Sequence, residues 1–177
     1  GDVDFPGLVP RIKALCSAMR QQGVPVFARE VGFGVSADAA KRLIDAGVAG
    51  IDCAGAGGTS WAKVEARCAT SERTRVLGER FGEWGIPTSQ SILNVRRAAA
   101  VLPLIASGGL RSGLDLAKAI ALGADVGGMA RPFLLRAVEG EAAVREFVAG
   151  VLEELRICMF ASGALTLAGL RGKVSRT

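Results

Sequence analysis

Short apolar runs alternate along this chain with longer stretches in which apolar residues recur every three or four positions. The runs are VPVFA at 24–28, GIDCA at 50–54, GIPT at 85–88, PLIAS at 103–107 and DVGGMA at 125–130. Each is nearly continuous and apolar, the pattern of a strand buried on both faces of a parallel sheet. The longer stretches predict helices over 5–22, 37–46, 71–83, 91–101, 113–122 and 140–160. Cap signals agree with two of them. Ser36 precedes a helical pattern that closes at Gly47, and Ser112, with Asp115 three residues on, precedes one that closes at Gly123. These two segments span the same interval, carry an Ala-Lys pair near the middle and lead into an apolar run, a loose internal repeat.

Strand–helix alternation with short links means right-handed βαβ units and a parallel sheet. An open doubly wound sheet and a (βα)8 barrel compete. A dinucleotide-binding open sheet calls for G-x-G-x-x-G after its first strand, and both GFGVSA and GAGGTS lack the third glycine. A barrel instead gathers glycine-rich loops at the C-terminal ends of several strands, where its ligands bind. Four of the five runs here are followed by such a segment, which favours the barrel, although five strands do not close one.

Composition narrows the chemistry. With 177 residues, half of them hydrophobic and 22% charged, the chain suits a single domain with a substantial core. It contains no histidine, which excludes a Ser-His-Asp triad, a Cys-His dyad, a His-ligated zinc and a histidine base. The net charge is +5, from 22 Lys and Arg against 17 Asp and Glu. These residues are scattered, which reads as a solvated basic surface and not as a nucleic-acid-binding face. Cys16, Cys53, Cys68 and Cys158 stand far apart with no C-x-x-C, so reduced thiols in a cytoplasmic protein are expected. No apolar run is long enough to span a bilayer, the first residues do not read as a signal peptide, and no membrane partner is expected. Gly1 in place of Met suggests a piece of a longer chain.

The unusual segments follow the strands: Arg29 to Gly34, Ala54 to Trp61, Ser107 to Arg111 and Met129 to Phe133. Gly55, Gly57 and Gly58 allow close approach of backbone to a ligand. Gly108 and Gly109, followed by Ser112 at a helix start, suggest an anion site built from a turn and a helix N-terminus.

The run REVGF, then AGAGGTSWAKVE, WGIPTS, PLIASGGLRSGLDLAKAIALGAD and GMARPFL closely resembles, in order and over essentially the whole chain, the type 2 isopentenyl-diphosphate isomerases. The S-G-G-L-R-S-G and A-R-P-F parts are shared by many FMN barrels, whereas AGAGGTSW with K-V-E downstream is narrower. Members of that family are about twice as long, so the chain resembles their C-terminal half. The resemblance implies an α/β fold, a TIM (βα)8 barrel of which about the last five βα units are present, forming a single partial domain over 1–177.

It also implies FMN at the C-terminal mouth and interconversion of isopentenyl and dimethylallyl diphosphate. Magnesium, NADPH or another reductant, and a homo-oligomer at full length come with it. Carried over by residue, Ala54 and Thr59 would contact the flavin. Gly108, Gly109, Leu110 and Arg111, with Ala130 and Arg131, would hold the FMN phosphate. Arg29 stands where the family has a lysine near the N1/C2 edge of the flavin, and that exchange of a compact ammonium for a planar guanidinium is not conservative. A salt bridge from Arg29 to Glu30 or another carboxylate is the alternative role.

The family's Gln-Glu pair for substrate and magnesium belongs to its first half, so no catalytic side chain and no metal ligand is assigned here. Glu30, Asp52 and Glu65 are the carboxylates nearest the mouth and are expected to brace loops or core. Trp61 is either a pocket wall or a core aromatic, and Met129 a packing residue. An FMN-dependent 2-hydroxy-acid oxidase shares the phosphate loop but requires a histidine base, absent here. A non-catalytic fragment of an FMN- or phosphate-binding barrel, or another FMN-dependent barrel oxidoreductase, are the remaining alternatives.

Overall fold

The computed structural model describes residues 5–174. Its centre is one parallel sheet in the order β1-β2-β3-β4, formed by Phe27–Arg29 (β1), Gly50–Asp52 (β2), Leu104–Ala106 (β3) and Val126–Gly127 (β4). The order follows the sequence because each strand is returned to the next by a helical crossover. The helices are α1 (Leu8–Gln21), α2 (Ala37–Asp45), α3 (Trp61–Cys68), α4 (Glu72–Arg80), α5 (Thr88–Ala98), α6 (Gly113–Leu122), α7 (Arg131–Glu139) and α8 (Glu141–Ala161).

Alternation along the strands sends Ala28, Ile51 and Leu104, which pair in register, toward the helices. There they join Val35, Ala40, Ile92, Val95 and Ala119 in the main core, with Ile51, Val95 and Leu104 fully enclosed. The other face carries Phe27, Arg29, Asp52, Ile105 and Val126. Among the described residues no helix covers it, and Phe27 and Val126 stay 44% and 54% exposed. The apolar runs therefore read as buried on both faces, whereas in this chain one face is covered.

The caps at Ser36 and Ser112 form as expected, each hydroxyl accepting the amide three residues on, from Ala39 and Asp115 at 3.1 Å. The fifth expected strand does not form. Residues 85–88 make a single bridge, Ala56 to Pro87, because Pro87 has no amide to continue a ladder and Gly85 sits at φ 142°. The sheet thus has four strands where five were expected. Two helices escaped the sequence pattern: α3, started by Ser60 accepting from the Lys63 amide, and α7, which has Pro132 in its first turn.

Candidate functional site

The loops that leave the C-terminal ends of the strands gather at one rim. After β1, Glu30 folds back so that one carboxylate oxygen accepts the amides of Gly32, Phe33 and Gly34 at 2.6, 2.5 and 3.0 Å. That fixes the loop, the bracing role expected of Glu30. The same loop is tied to α5, where the Ser91 hydroxyl accepts from the Val35 amide at 2.7 Å and Asn94 donates to the Val35 carbonyl at 3.1 Å.

The segment that failed to form a strand is a strut of the rim. The Ile86 amide donates to the Phe33 carbonyl at 2.7 Å, and its carbonyl accepts from Ala56 at 2.9 Å. The Thr88 hydroxyl then donates to the Gly108 carbonyl at 2.5 Å. Residues 85–88 thereby join the loops after β1, β2 and β3.

The two glycine loops interlock. A Cβ on Gly58 would come within 2.9 Å of the Gly109 nitrogen, and one on Gly108 within 2.6 Å of the Gly55 nitrogen. Gly108 and Gly109 also adopt φ 99° and 84°, open to glycine and strained for other residues. These glycines first allow backbone to meet backbone, a reason the sequence pattern concealed. Among the described residues, the amides of Gly108, Gly109 and Leu110 find no acceptor. The N-terminus of α6 is not open in the same way. Glu154, from α8, accepts the Gly113 amide at 2.6 Å, and Asp115 accepts the Arg111 amide at 3.0 Å. The amides without an acceptor therefore lie in the turn and not at the helix end. One strand over, α7 begins after Ala130 with no side-chain cap and no acidic residue in its first turn.

The expected site residues divide accordingly. Gly108, Gly109, Leu110 and Arg111 lie in the loop after β3, which Gly55, Gly57 and Gly58 of the Ala54 and Thr59 loop abut. Ala130 and Arg131 follow Gly128, whose Cβ would lie 3.1 Å from that of Ser107. Thr59 is exposed, and its carbonyl packs on Gly32. Ala54 is buried and the one non-glycine residue with positive φ among those described, at 29°. Arg29 pairs with Asp52 across β1 and β2 at 3.3 Å, not with Glu30. Trp61 is half exposed, its indole N–H on the Val31 carbonyl at 2.9 Å, and Met129 packs against the core. Burial pushes the Cys53 thiol up, which suits a packing role.

Two polar residues of the rim have partners that the sequence pattern does not disclose: Ser107, the first residue of the Ser107 to Arg111 segment, and Thr88. Asp52 was noticed as a carboxylate without its role. The Ser107 hydroxyl donates to Asp52 Oδ1 at 2.6 Å, and the Ala54 amide does so at 3.3 Å.

A family model described as FMN-dependent dehydrogenase matches residues 11–177. The chain is 53% identical over 171 residues to an isopentenyl-diphosphate delta-isomerase of a Synechococcus species, and 52% identical to one of a Nostoc species. Each alignment takes in 97% of this chain and 48% of the relative, so the chain spans about half the length of the curated relatives it matches. Among solved structures, GMP reductase from Trypanosoma brucei bound to guanosine 5'-triphosphate superposes with a TM-score of 0.67 and 27% identity. It covers 93% of this chain and 35% of that enzyme. A lactate oxidase of Pediococcus acidilactici superposes with a TM-score of 0.65 at 23% identity, covering 90% of this chain and 38% of the oxidase. The four-stranded sheet is thus part of a TIM barrel.

Proposed function

The chain belongs to the family of FMN-dependent dehydrogenases, and we propose that its rim holds FMN in an enzyme that interconverts isopentenyl and dimethylallyl diphosphate. The observation that carries the cofactor reading is the set of acceptor-free amides at Gly108, Gly109 and Leu110, in a turn that the Gly55–Gly58 loop abuts. Such a turn offers N–H groups to a phosphate without a competing carboxylate. Arg111 and Arg131, both exposed, flank it with positive charge. These residues fit the phosphate end of FMN. The likeness to the Synechococcus and Nostoc isomerases supports the substrate reading.

FMN, kept reduced by NADPH or another reductant, would supply the acid–base chemistry that moves a proton across the allylic system. The chain's own share is binding and orientation. Gly108 to Arg111, with Ala130 and Arg131, would hold the phosphate, while Ala54 and Thr59 would flank the flavin and Arg29 would present positive charge to it. The Glu30 cap, the 85–88 strut and the Thr88 hydroxyl keep those loops rigid, which fixes the bound geometry. Magnesium, which would accompany the diphosphate, finds no ligand set among the described residues, where no three Asp, Glu or Cys side chains cluster. Among the described residues no helix is long and apolar enough to cross a membrane; a cytoplasmic location is part of the proposal. A homo-oligomer without nucleic-acid or membrane partners completes the reading.

The test is an isomerisation assay on the complete polypeptide that carries these residues, supplied with reduced FMN, magnesium and isopentenyl diphosphate. Formation of dimethylallyl diphosphate that stops when FMN is withheld is expected. Flavin-loaded protein that turns over a 2-hydroxy acid and leaves isopentenyl diphosphate untouched would overturn the substrate reading.

A further inference from the structure

We propose that Asp52 is a positioning residue: it holds the Arg29 guanidinium back against β2 and so limits the positive charge that Arg29 presents to the cofactor. The inference rests on the FMN reading above and adds a residue to which the family resemblance assigns no such role.

The inner row of the sheet carries the first observation. Arg29 pairs with Asp52, Asp52 with Ile105 and Ile105 with Val126, so these four side chains emerge on one face at one level. Branched apolar residues ordinarily fill such positions in a barrel. Ile105 and Val126 follow that rule, and Arg29 and Asp52 break it side by side.

The second observation is how Asp52 is held. It is only 8% exposed, a depth at which a carboxylate is costly unless every oxygen is partnered. Its two oxygens are committed in different directions. Oδ1 accepts the Ser107 hydroxyl at 2.6 Å and the Ala54 amide at 3.3 Å, which anchors it to β3 and to the positive-φ residue of the rim. Oδ2 faces Nε of Arg29 at 3.3 Å.

The third observation concerns Arg29 itself. Its side chain is 70% exposed, and among the described residues its two terminal nitrogens donate to no acceptor. A guanidinium that meets the carboxylate through Nε keeps four N–H groups on its two outer nitrogens, in a planar fork that a lysine ammonium lacks. Asp52 therefore explains how an arginine serves at this position: one nitrogen is fixed, and the outer pair remains for a ligand.

The test compares flavin reduction potentials of the complete FMN-loaded polypeptide as wild type, Asp52→Asn, Arg29→Ala and the double variant. Asp52→Asn should raise the preference for reduced, anionic FMN about tenfold, which is about 30 mV for a two-electron couple. Arg29→Ala should shift the potential the opposite way. Because it leaves Asp52 Oδ2 without its partner, a melting curve of each variant is read beside the potential. The double variant, which removes that unpaired charge, should melt above Arg29→Ala. In the Arg29→Ala background, the Asn exchange should move the preference less than about threefold, since its effect runs through Arg29. An unchanged potential in either single variant overturns the inference, as does an Asn shift of equal size in both backgrounds. Wild-type polypeptide that takes up no FMN overturns the FMN reading itself and this inference with it. Normal FMN uptake with unmoved potentials removes the role of Asp52 alone.

Discussion

Gly109 lies against the backbone of Gly57: a Cβ added to Gly109 would collide with the Gly57 carbonyl and come within 3.0 Å of its Cα. Position 109 also has φ 84°, so any side chain adds backbone strain to the collision. Gly109→Val should therefore do two things at once. It should destabilise the fold by about 2 kcal/mol or more through strain and displaced backbone, and it should weaken FMN binding by moving the free amides. Thermal unfolding and an FMN titration on the same variant check both effects. Unchanged melting with unchanged affinity would mean that the two loops do not meet.

Glu154 reaches from α8 to the first turn of α6, accepting the Gly113 amide at 2.6 Å across 41 residues of sequence. Its carboxylate satisfies an otherwise orphaned donor and complements the helix dipole. Glu154→Ala should cost about 1 kcal/mol, read as a lower denaturation midpoint. Glu154→Gln, which keeps an acceptor oxygen, should recover part of that loss.

Asp125 joins three elements. It accepts from the Leu104 amide at 2.8 Å and from Arg96 at 2.7 Å, and pairs with Arg171. Burial alone would raise its carboxyl, but the Leu104 amide and the two guanidiniums outweigh burial and hold it below the ordinary carboxylate range. A depressed carboxyl stabilises the fold above its unfolded value, near pH 4. That contribution is lost as pH falls through the lower folded value. Melting temperatures of wild type and Asp125→Asn between pH 7 and pH 3 should show a smaller acid-induced drop in the variant. Parallel curves would contradict the assignment.

On its own this chain should self-associate. Phe160, Leu165 and Val138 are 89%, 97% and 82% exposed, and among the described residues β1 and β4 each leave one edge of the sheet without a partner strand. An apolar groove of about 360 Å³, lined in part by Ile12, Leu15, Phe27 and Leu43, opens beside β1. Size-exclusion chromatography should show concentration-dependent oligomers, and unfolding should be broad. A clean monomer with one sharp transition would contradict this.

Much of the architecture was legible because a parallel sheet writes each strand as an apolar run and each crossover as a helical period. Residues 113–122 form a helix within those bounds, and four of the five runs contribute a strand. The run at 85–88 misled because four apolar or small residues carry no sign of their partners, and only Pro87 warned against a ladder. Helix α3 was hidden behind the glycine run that precedes it, and α7 behind Pro132, which reads as a stop although proline suits a first turn. The loops of the site were visible as glycine pairs following strands. The Arg29–Asp52–Ser107 connection was not, since it depends on the register of three strands, and no local pattern encodes register across crossovers. For the same reason the capping of Gly113 by Glu154 was out of reach.

In the proposed function the loop Gly108 to Arg111, with Ala130 and Arg131, grips the phosphate of FMN. The most direct test compares FMN with riboflavin, which lacks that phosphate, in titrations of the complete polypeptide followed by flavin fluorescence. Two charge-assisted hydrogen bonds at about 1.5 kcal/mol each correspond to about a hundredfold in affinity. FMN should therefore bind at least about a hundred times more tightly than riboflavin, and Gly109→Val should erase most of that difference. Equal affinity for the two flavins would mean that this loop does not hold the phosphate.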